Sequence, residues 1–184
     1  MRVIAGEFRS RVLKSPPGMA TRPTPDRLRE SLFNILSPVI EGSTFFDGYA
    51  GSGAVGIEAL SRGAAHAIFV ERSRAAVDVL RENLAALKVE SRAEVFTGKV
   101  TQVIARKTAD IVFLDPPYDL EVEYQQALAL LGADSPGLVI VQHATHFDPG
   151  ESHGSLHRTR VVRQGTNALS FYRPVTAHGV MDNR

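Results

Sequence analysis

From residue 43 onward the chain alternates short, continuous apolar runs with amphipathic stretches of helical period. The runs predict five strands, at residues 44–46, 67–70, 93–96, 111–114 and 138–141. The stretches between them predict helices at 54–62, 77–87, 100–106 and around Leu128 and Leu131. Uninterrupted apolar strands separated by helices are typical of a parallel sheet covered on both faces.

The two ends of the chain follow other patterns. Residues 156–163 and 167–172, joined around Gln164-Gly165, predict an antiparallel hairpin at one edge of the sheet. Residues 3–14 predict a short hairpin with arginines 9 and 11 outside and an inward set of Val3, Phe8, Val12 and Leu13. The predicted fold is therefore α/β. It is a Rossmann-like, doubly wound, mostly parallel sheet with an antiparallel C-terminal hairpin and a small N-terminal β-hairpin.

A further helix is predicted before the first strand. Thr24 is placed as its N-cap and Pro25 as its first residue. One apolar stripe follows, and Pro38 stops it; the stripe contains Leu28, Leu32, Ile35 and Leu36.

The length of 184 residues fits one domain, 1–184. We expect an N-terminal extension at 1–22, a catalytic core at 23–174 and a frayed tail at 175–184. The absence of cysteine excludes disulfides and thiolate metal sites and fits a cytoplasmic protein. No apolar run approaches the roughly 18 residues of a membrane span, and the first residues lack the apolar core of a signal peptide. A monomer is expected.

Positive charge is concentrated at the two ends of the chain. Residues 1–29 carry seven basic and two acidic residues, and residues 155–174 carry four arginines and no acid. Because the net charge of the whole chain is only +1, the middle is net acidic. This clustering favours a polyanion contact over scattered, solvated charges.

The most informative motif is Asp115-Pro116-Pro117-Tyr118, directly after the apolar run 111–114. Two prolines fix the backbone and remove two N–H donors, so the backbone here offers only carbonyl acceptors. An acid, a rigid corner and an aromatic ring suit a planar amino group such as the exocyclic amine of a nucleobase. A plain strand followed by a proline turn is the alternative for this motif taken alone.

A glycine loop, Asp47-Gly48-Tyr49-Ala50-Gly51-Ser52-Gly53, lies between the first strand and its helix. Its position predicts a cofactor floor at the carboxyl ends of the strands. Gly51, Gly53 and Gly56 also match the dinucleotide fingerprint, with Glu71 at the spacing of a ribose-binding acid. A nicotinamide dehydrogenase must therefore be weighed.

Two features argue against the dehydrogenase. Asp47 at the loop mouth would repel a pyrophosphate but hold a cationic amine, and a dehydrogenase leaves Asp115–Tyr118 unexplained. A ligand with an amine, a ribose and no phosphate fits better, and S-adenosylmethionine is such a ligand. Glu71 can accept from both ribose hydroxyls because a carboxylate has two acceptor oxygens.

These motifs together resemble the class I S-adenosylmethionine-dependent amino-methyltransferases. Three further segments, at 2–11, 22–34 and 171–174, resemble the RsmD-type family, and the likeness runs to about Pro174. Enzymes of that family methylate the exocyclic N2 of a guanine in small-subunit (16S) ribosomal RNA. The resemblance thus implies S-adenosylmethionine as cofactor, and ribosomal RNA or the small subunit as partner.

The resemblance also implies roles for individual residues. Asp115, Pro116, Pro117 and Tyr118 would form the catalytic corner. Asp47 and the turn Gly51-Ser52-Gly53 would cradle the methionine part, with Arg22 and Thr24 near its carboxylate, while Glu71 holds the ribose. The cofactor pocket would further include Gly48, Tyr49, Arg72, Gly98 and Lys99. RNA phosphates would be held by Arg2, Arg9, Arg11, Lys14, Arg158 and Arg160.

The chain departs from the family pattern at two places. Gly48-Tyr49 stands where the family usually has Leu-Phe, and Gly98 stands where an acid usually faces the adenine amine. Adenine recognition would then use backbone groups or Thr97.

Several rivals stay open. A DNA or RNA amino-methyltransferase acting on adenine N6 or cytosine N4 shares the catalytic corner, although a DNA enzyme usually carries a larger target-recognition region. A protein glutamine methyltransferase would more often have Asn at position 115, and a noncatalytic RNA-binding module would need neither Asp115 nor Glu71. Four histidines have metal-like spacing, but surface roles are favoured and no metal is expected; they are His143, His146, His153 and His157.

Overall fold

The apolar runs build one sheet, seen in a computed structural model that describes residues 1–16, 26–117, 121–133 and 136–175. Its strands are β1 (Thr44–Gly48), β2 (His66–Glu71), β3 (Ala93–Thr97), β4 (Ile111–Leu114), β5 (Leu138–Ala144), β6 (Ser152–His153), β7 (Leu156–Gln164) and β8 (Asn167–Pro174). They lie in the order β3-β2-β1-β4-β5-β8-β7-β6. The first five are parallel, and β8 pairs antiparallel with both β5 and β7.

Helices cover both faces of this sheet. They are α1 (Asp26–Leu36), α2 (Ala54–Ser61), α3 (Arg74–Leu87), α4 (Val100–Ile104) and α5 (Glu121–Ala133), with a 3-10 turn at Glu90–Arg92. The doubly wound, mostly parallel fold predicted from the sequence is confirmed. The pattern missed the 3-10 turn and the two-residue strand β6, both too short to carry a period, and it ran α4 two residues too long.

Adjacent residues of the central strands pack into different cores. Phe45 of β1 and Phe113 of β4 lie in the core under α1, whereas Phe46 and Leu114 lie in the core under α4 and α5. Successive strand side chains point to opposite faces, so a strand buried on both sides is apolar at every position. This explains why the apolar runs show no alternation of apolar and polar residues.

The N-terminal segment is part of the folded core. Val3, Phe8 and Leu13 are buried with residues of α2 and α3, as predicted. The prediction for Val12 was wrong, since its side chain is 76% exposed. Val12 forms the segment's one β-bridge, with Arg2. Neighbouring residues of an extended chain face opposite ways, so Val12 and Leu13 cannot both point inward.

A buried ion cluster fastens this segment to the helices. The side chains of Arg29 on α1 and Glu58 on α2 are fully buried, 3.9 Å apart. Glu58 accepts hydrogen bonds from the backbone N–H groups of Ile4 and Ala5 and from Arg62. Arg29 donates to the carbonyl of Arg2 and to Asp26. The first five residues are thereby held against α1 and α2.

Some expectations concern residues outside the described ranges. These are the N-cap at Thr24, the helix start at Pro25 and most of the tail at 175–184. Within the described ranges, the structure contains no helix with the length and apolar character needed to cross a membrane.

We predict that Glu58→Ala lowers the free energy of unfolding by about 3–5 kcal/mol, because it removes the buried counter-charge of Arg29 and leaves the part-buried N–H groups of Ile4 and Ala5 without their acceptor. The matched variant Glu82→Ala removes the acid of an exposed pair with Lys14 and should cost at most about 1 kcal/mol. Urea unfolding of both variants measures the difference, and equal losses would contradict the structural role of the cluster.

Candidate active site

A cavity of about 830 Å³ opens at the carboxyl ends of the parallel strands. Strand order reverses here, because β1 has β2 on one side and β4 on the other, and ligands of open α/β sheets bind at such switch points. The strand ends contribute Asp47 from β1, Glu71 from β2, Asp115 after β4 and Gln142 from β5. The volume falls in the range of roughly 300–1,000 Å³ typical of small-molecule sites.

Most of the residues predicted for this region line the cavity. They are Asp47, Tyr49, Gly51, Ser52, Glu71, Arg72, Gly98, Lys99, Asp115, Pro116 and Pro117. Gly48 and Gly53, predicted as cofactor contacts, are not among the lining residues. Arg22, Thr24 and Tyr118 lie outside the described residues.

Gly53 supports the loop from behind. Its backbone is left-handed (φ +84°), and a Cβ there would come within 2.1 Å of Leu80 Cδ1 on α3. Gly51 is also left-handed (φ +56°), but a Cβ there would meet nothing within 4 Å. Gly53 therefore serves helix packing, and Gly51 serves the turn that brings the backbone to the cavity.

Glu71 braces the glycine loop. One carboxylate oxygen accepts from the Gly51 N–H at 2.9 Å, and the other accepts from the Ser73 N–H at 2.7 Å. Ser73 is the N-cap of α3 and accepts from Ala76 N–H. Glu71 thus joins the loop to the start of α3, and each of its oxygens keeps a lone pair for a ligand.

Two acids on the neighbouring strands β1 and β4 are desolvated. Burial raises the pKa of Asp47 to about 7, although a hydrogen bond from Gly56 N–H, 2.8 Å away, favours its ionised form. Burial, and then repulsion from Asp47, raise the pKa of Asp115 to about 8. Asp115 keeps part of its surface exposed because it faces the cavity. Two such carboxylates favour a cation between the loop and the catalytic corner.

The corner Asp115-Pro116-Pro117, predicted to be catalytic, is fixed by α5. Tyr124, which is 1% exposed, places its hydroxyl 3.2 Å from the Pro116 carbonyl and 3.2 Å from the Gln142 carbonyl. Pro116 is buried and Pro117 is exposed. The segment 115–117 therefore has a defined orientation relative to β5 and α5.

Sequence reasoning missed Glu123, which also lines the cavity. Its Oε2 accepts from the Tyr49 hydroxyl at 2.6 Å. Tyr49 has a left-handed backbone (φ +66°), which is uncommon for a bulky residue. Burial and the hydrogen bond to Glu123 raise the pKa of Tyr49, which keeps its hydroxyl protonated.

Other cavity residues also escaped the sequence analysis. Met1, Ser15 and Pro16 line it from the N-terminal segment, and Gln142 lines it from β5. No short motif marks them, because they reach the cavity only through the tertiary fold.

The predicted phosphate contacts occupy different environments. Arg2, Arg9, Arg11, Lys14 and Arg160 are exposed, but Lys14 pairs with Glu82 and Arg11 donates to the Ala86 carbonyl. Arg158 is only 15% exposed in its side chain and pairs with Asp148 and Glu151. In strand register it lies level with Val112, near the start of β4. It is thus distant from the cavity edge.

In strand register, Arg163 lies closer to the cavity edge than Arg158 does. Through Ala168 it lies level with His143 of β5, two residues beyond the end of β4 in register. It is exposed, and no acid pairs with it in the described part of the chain. Arg163 therefore stands at the edge on which the cavity opens.

The histidines do not form a metal centre. The surface role predicted for His143 was wrong, because this residue is buried, with Nε2 2.9 Å from Ser170 Oγ. His153 contacts the Pro149 carbonyl. Across residues 1–16, 26–117, 121–133 and 136–175, no three His, Asp or Glu side chains could hold one metal ion.

Comparison with known proteins agrees with this geometry. Residues 1–173 match the family described as "Conserved hypothetical protein 95", the RsmD family. The chain belongs to this family. YlbH of Bacillus subtilis is 35% identical over 182 residues, covering 94% of this chain and 98% of that protein. The resemblance to RsmD-type methyltransferases stated from the sequence is confirmed.

Two further similar proteins, one curated relative and one solved structure, are from Escherichia coli. Ribosomal RNA small subunit methyltransferase D of Escherichia coli is 46% identical over 120 residues, but the match covers 64% of this chain and 60% of that protein. The solved structure of yhhF from Escherichia coli has a TM-score of 0.82 at 36% identity, covering 95% of this chain and 97% of that one. The fold of the family member therefore extends over nearly the whole chain.

We predict that the ligand-free protein becomes less stable as pH rises from about 5.5 to about 8.5. The folded-state pKa of Asp115 is about 8, whereas an unfolded Asp titrates near 4. Between these values the folded state binds more protons, so its free energy of unfolding falls with rising pH.

Asp115→Asn should remove part of this slope. Between pH 5.5 and pH 8.5, the free energy of unfolding of the variant should fall less than that of the wild type, by on the order of 3 kcal/mol. Asp78→Asn, an exposed change on α3, is the control. Urea unfolding at both pH values is the measurement, and parallel pH profiles for Asp115→Asn and the wild type would refute the assignment.

Proposed function

We propose that this protein transfers a methyl group from S-adenosylmethionine to the exocyclic N2 amine of a guanine in small-subunit (16S) ribosomal RNA. The observation that carries the proposal is the shared cavity of the glycine loop and the Asp115-Pro116 corner. Family membership supports it, and one curated relative is named for methylation of small-subunit ribosomal RNA.

The charges on the cavity wall suit the cofactor. Four carboxylates line it, those of Asp47, Glu71, Asp115 and Glu123, against the two basic side chains Arg72 and Lys99, and such a site favours a cationic ligand over a pyrophosphate. Asp47 and Ser52 would hold the amino-acid part, Glu71 the ribose, and Gly98 and Lys99 the base. When bound, S-adenosylmethionine supplies an activated methyl group on a sulfonium.

Asp115 and the Pro116 carbonyl would hold the two N–H groups of the target amine. An aromatic amine is a weak nucleophile because its lone pair is delocalised into the ring, so orientation supplies much of the rate. The bond to the ionised carboxylate is charge-assisted and therefore strong. The Pro116 oxygen has a second lone pair beside the one directed at Tyr124. With its raised pKa, Asp115 is also suited to take the amine proton.

The basic residues would guide the RNA. A base in a paired helix cannot reach the corner, so the target is unpaired or flipped. We infer that Arg2, Arg9, Arg11 and Arg160 contact phosphates, with smaller contributions from Lys14 and Arg158, whose charges are already partly neutralised. Arg163 joins this set because of its place at the cavity edge.

The rival function is methylation of adenine N6 or cytosine N4. Guanine presents N1–H and N2–H donors side by side, whereas adenine and cytosine present an acceptor beside the amine. The acceptors at the corner are a carboxylate and a carbonyl, and they match guanine better.

Labelled-methyl transfer to DNA, free ribosomal RNA and assembled small subunits tests the proposal. We expect N2-methylguanosine in digested RNA, identified by mass spectrometry, and no label in DNA. Asp115→Ala should lower transfer at least 10³-fold while cofactor affinity, measured by calorimetry, stays within about tenfold. Asp78→Ala is the control. Near-normal turnover by Asp115→Ala, or a product other than methylated guanine, would refute the proposal.

We also predict that Arg163→Gln weakens RNA affinity and lowers the slope of log K against log salt by about one. Arg158→Gln should change both less, because Asp148 already neutralises its guanidinium. Filter binding over a salt series measures the two slopes, with cofactor affinity as the control for folding. A larger effect from Arg158→Gln would reverse this assignment.

A further inference from the structure

The first turn of α5 places the carboxylate of Glu123 in the cavity that Asp115 and Pro116 also line, and two hydrogen bonds hold that turn in place. On the inner side, the Tyr124 hydroxyl lies 3.2 Å from the Pro116 carbonyl. On the cavity side, Glu123 Oε2 accepts from the Tyr49 hydroxyl at 2.6 Å. The Glu123 carboxylate is thus held by Tyr49 in the cavity that the corner also lines.

In the part of the chain that the structure describes, only one of the two carboxylate oxygens of Glu123, Oε2, accepts a hydrogen bond. Within the described residues no group donates a hydrogen bond to Glu123 Oε1, and the side chain is half-buried on the wall shared with Asp115 and Pro116. An ionised carboxylate can only accept hydrogen bonds. Glu123 Oε1 can therefore accept a hydrogen bond from a donor on a ligand bound at the corner.

Tyr49 does not supply a hydrogen-bond donor to a ligand at this wall of the cavity. Its hydroxyl hydrogen is already donated to Glu123, so it cannot be offered to a ligand without breaking that bond. The Tyr49 hydroxyl therefore adds an acceptor, not a donor, to the cavity wall beside Glu123.

We propose that Glu123 determines base specificity by accepting the N1–H of the target guanine while Asp115 and the Pro116 carbonyl hold its N2 amine. This inference rests on the proposed function and names the residue that selects the base. N1–H and the N2 amine are adjacent on one edge of guanine, and Glu123 lines the same cavity as the corner, next in sequence to Tyr124, which contacts Pro116. Adenine N1 and cytosine N3 would instead turn a lone pair toward the carboxylate.

The test replaces the methylated guanosine by 2-aminopurine. This base keeps the 2-amine but lacks both the N1–H and the O6 of guanine, so the N1 contact is read from how Glu123→Gln changes the preference between the two bases. The site labelled by the wild type is located first. Ribosomal RNA with guanine or 2-aminopurine at that site is then prepared by splinted ligation and assembled into subunits where assembly is needed.

The wild type should prefer guanine over 2-aminopurine by at least 100-fold in kcat/KM, because a carboxylate cannot satisfy the N1 lone pair. Glu123→Gln should lower this ratio at least tenfold, since an amide can donate to N1. Glu121→Gln, the same change at an exposed position of the same helical turn, should leave the ratio unchanged. A purely structural role for Glu123 would change the rates for both bases equally.

The outcomes separate the two levels of the proposal. If the wild type methylates no guanine in ribosomal RNA, the proposed function fails and this inference falls with it. If the wild type methylates guanine but accepts 2-aminopurine equally well, only this inference is overturned. The same holds if Glu123→Gln keeps the wild-type ratio, whatever its loss of rate.

Discussion

The main physical constraint on the site is the desolvation free energy of placing ionised carboxylates at the ends of buried parallel strands. Asp47 ends the apolar part of β1, and Asp115 follows β4, the strand paired beside it. Desolvation raises the pKa of both, and proximity to Asp47 raises that of Asp115 further. The glycine loop, the brace by Glu71 and the α5 turn hold these groups close although they repel one another. Such an arrangement stores a preference for positive charge in the cavity.

Much of the fold follows from the sequence because the central strands are buried on both faces. A strand between two layers of helices must be apolar at every position, so 111–114 was recognisable residue for residue, and the acid after it marked the cavity edge. Weakly patterned segments were harder. Val122 and Leu130 are exposed on α5 while Tyr124 and Leu131 are buried, so apolar residues occur on both faces and the helix phase cannot be deduced.

That ambiguity explains why Glu123 was missed. Among the acids near the start of α5, only the helix phase decides which one faces the cavity. The pairing of Arg158 with Asp148 was hidden for a similar reason, since it depends on how a loop returns across the sheet. Charge clustering in sequence indicated a polyanion surface but not which arginines are free. Register placed Arg163 at the cavity edge and Arg158 away from it.

The N-terminal segment combines two demands. Its buried side chains and the Arg29–Glu58 cluster make it part of the core, yet its ends, Met1 and Ser15-Pro16, reach the cavity wall. A basic arm that were only an RNA contact would not need buried Val3 and Phe8. Changes in this segment therefore act on stability, on the cavity and on surface charge together, so single charge substitutions are more informative there than deletions.

The distribution of charge constrains how a nucleic acid substrate could approach. Four carboxylates line the cavity against the two basic side chains Arg72 and Lys99, whereas Arg2, Arg9, Arg11, Arg160 and Arg163 are exposed and are not among the lining residues. Phosphates are therefore favoured outside the cavity and disfavoured inside it. A cationic group or a neutral group that carries hydrogen-bond donors gains by entering past four carboxylates, whereas a phosphate does not. A nucleic acid can place its backbone phosphates at the exposed arginines and turn one base into the cavity, so that each part meets a favourable charge. A duplex lying across the opening would instead bring phosphates toward Asp115 and Glu123. The acids that attract a cationic cofactor thereby also favour an extruded base over a paired one.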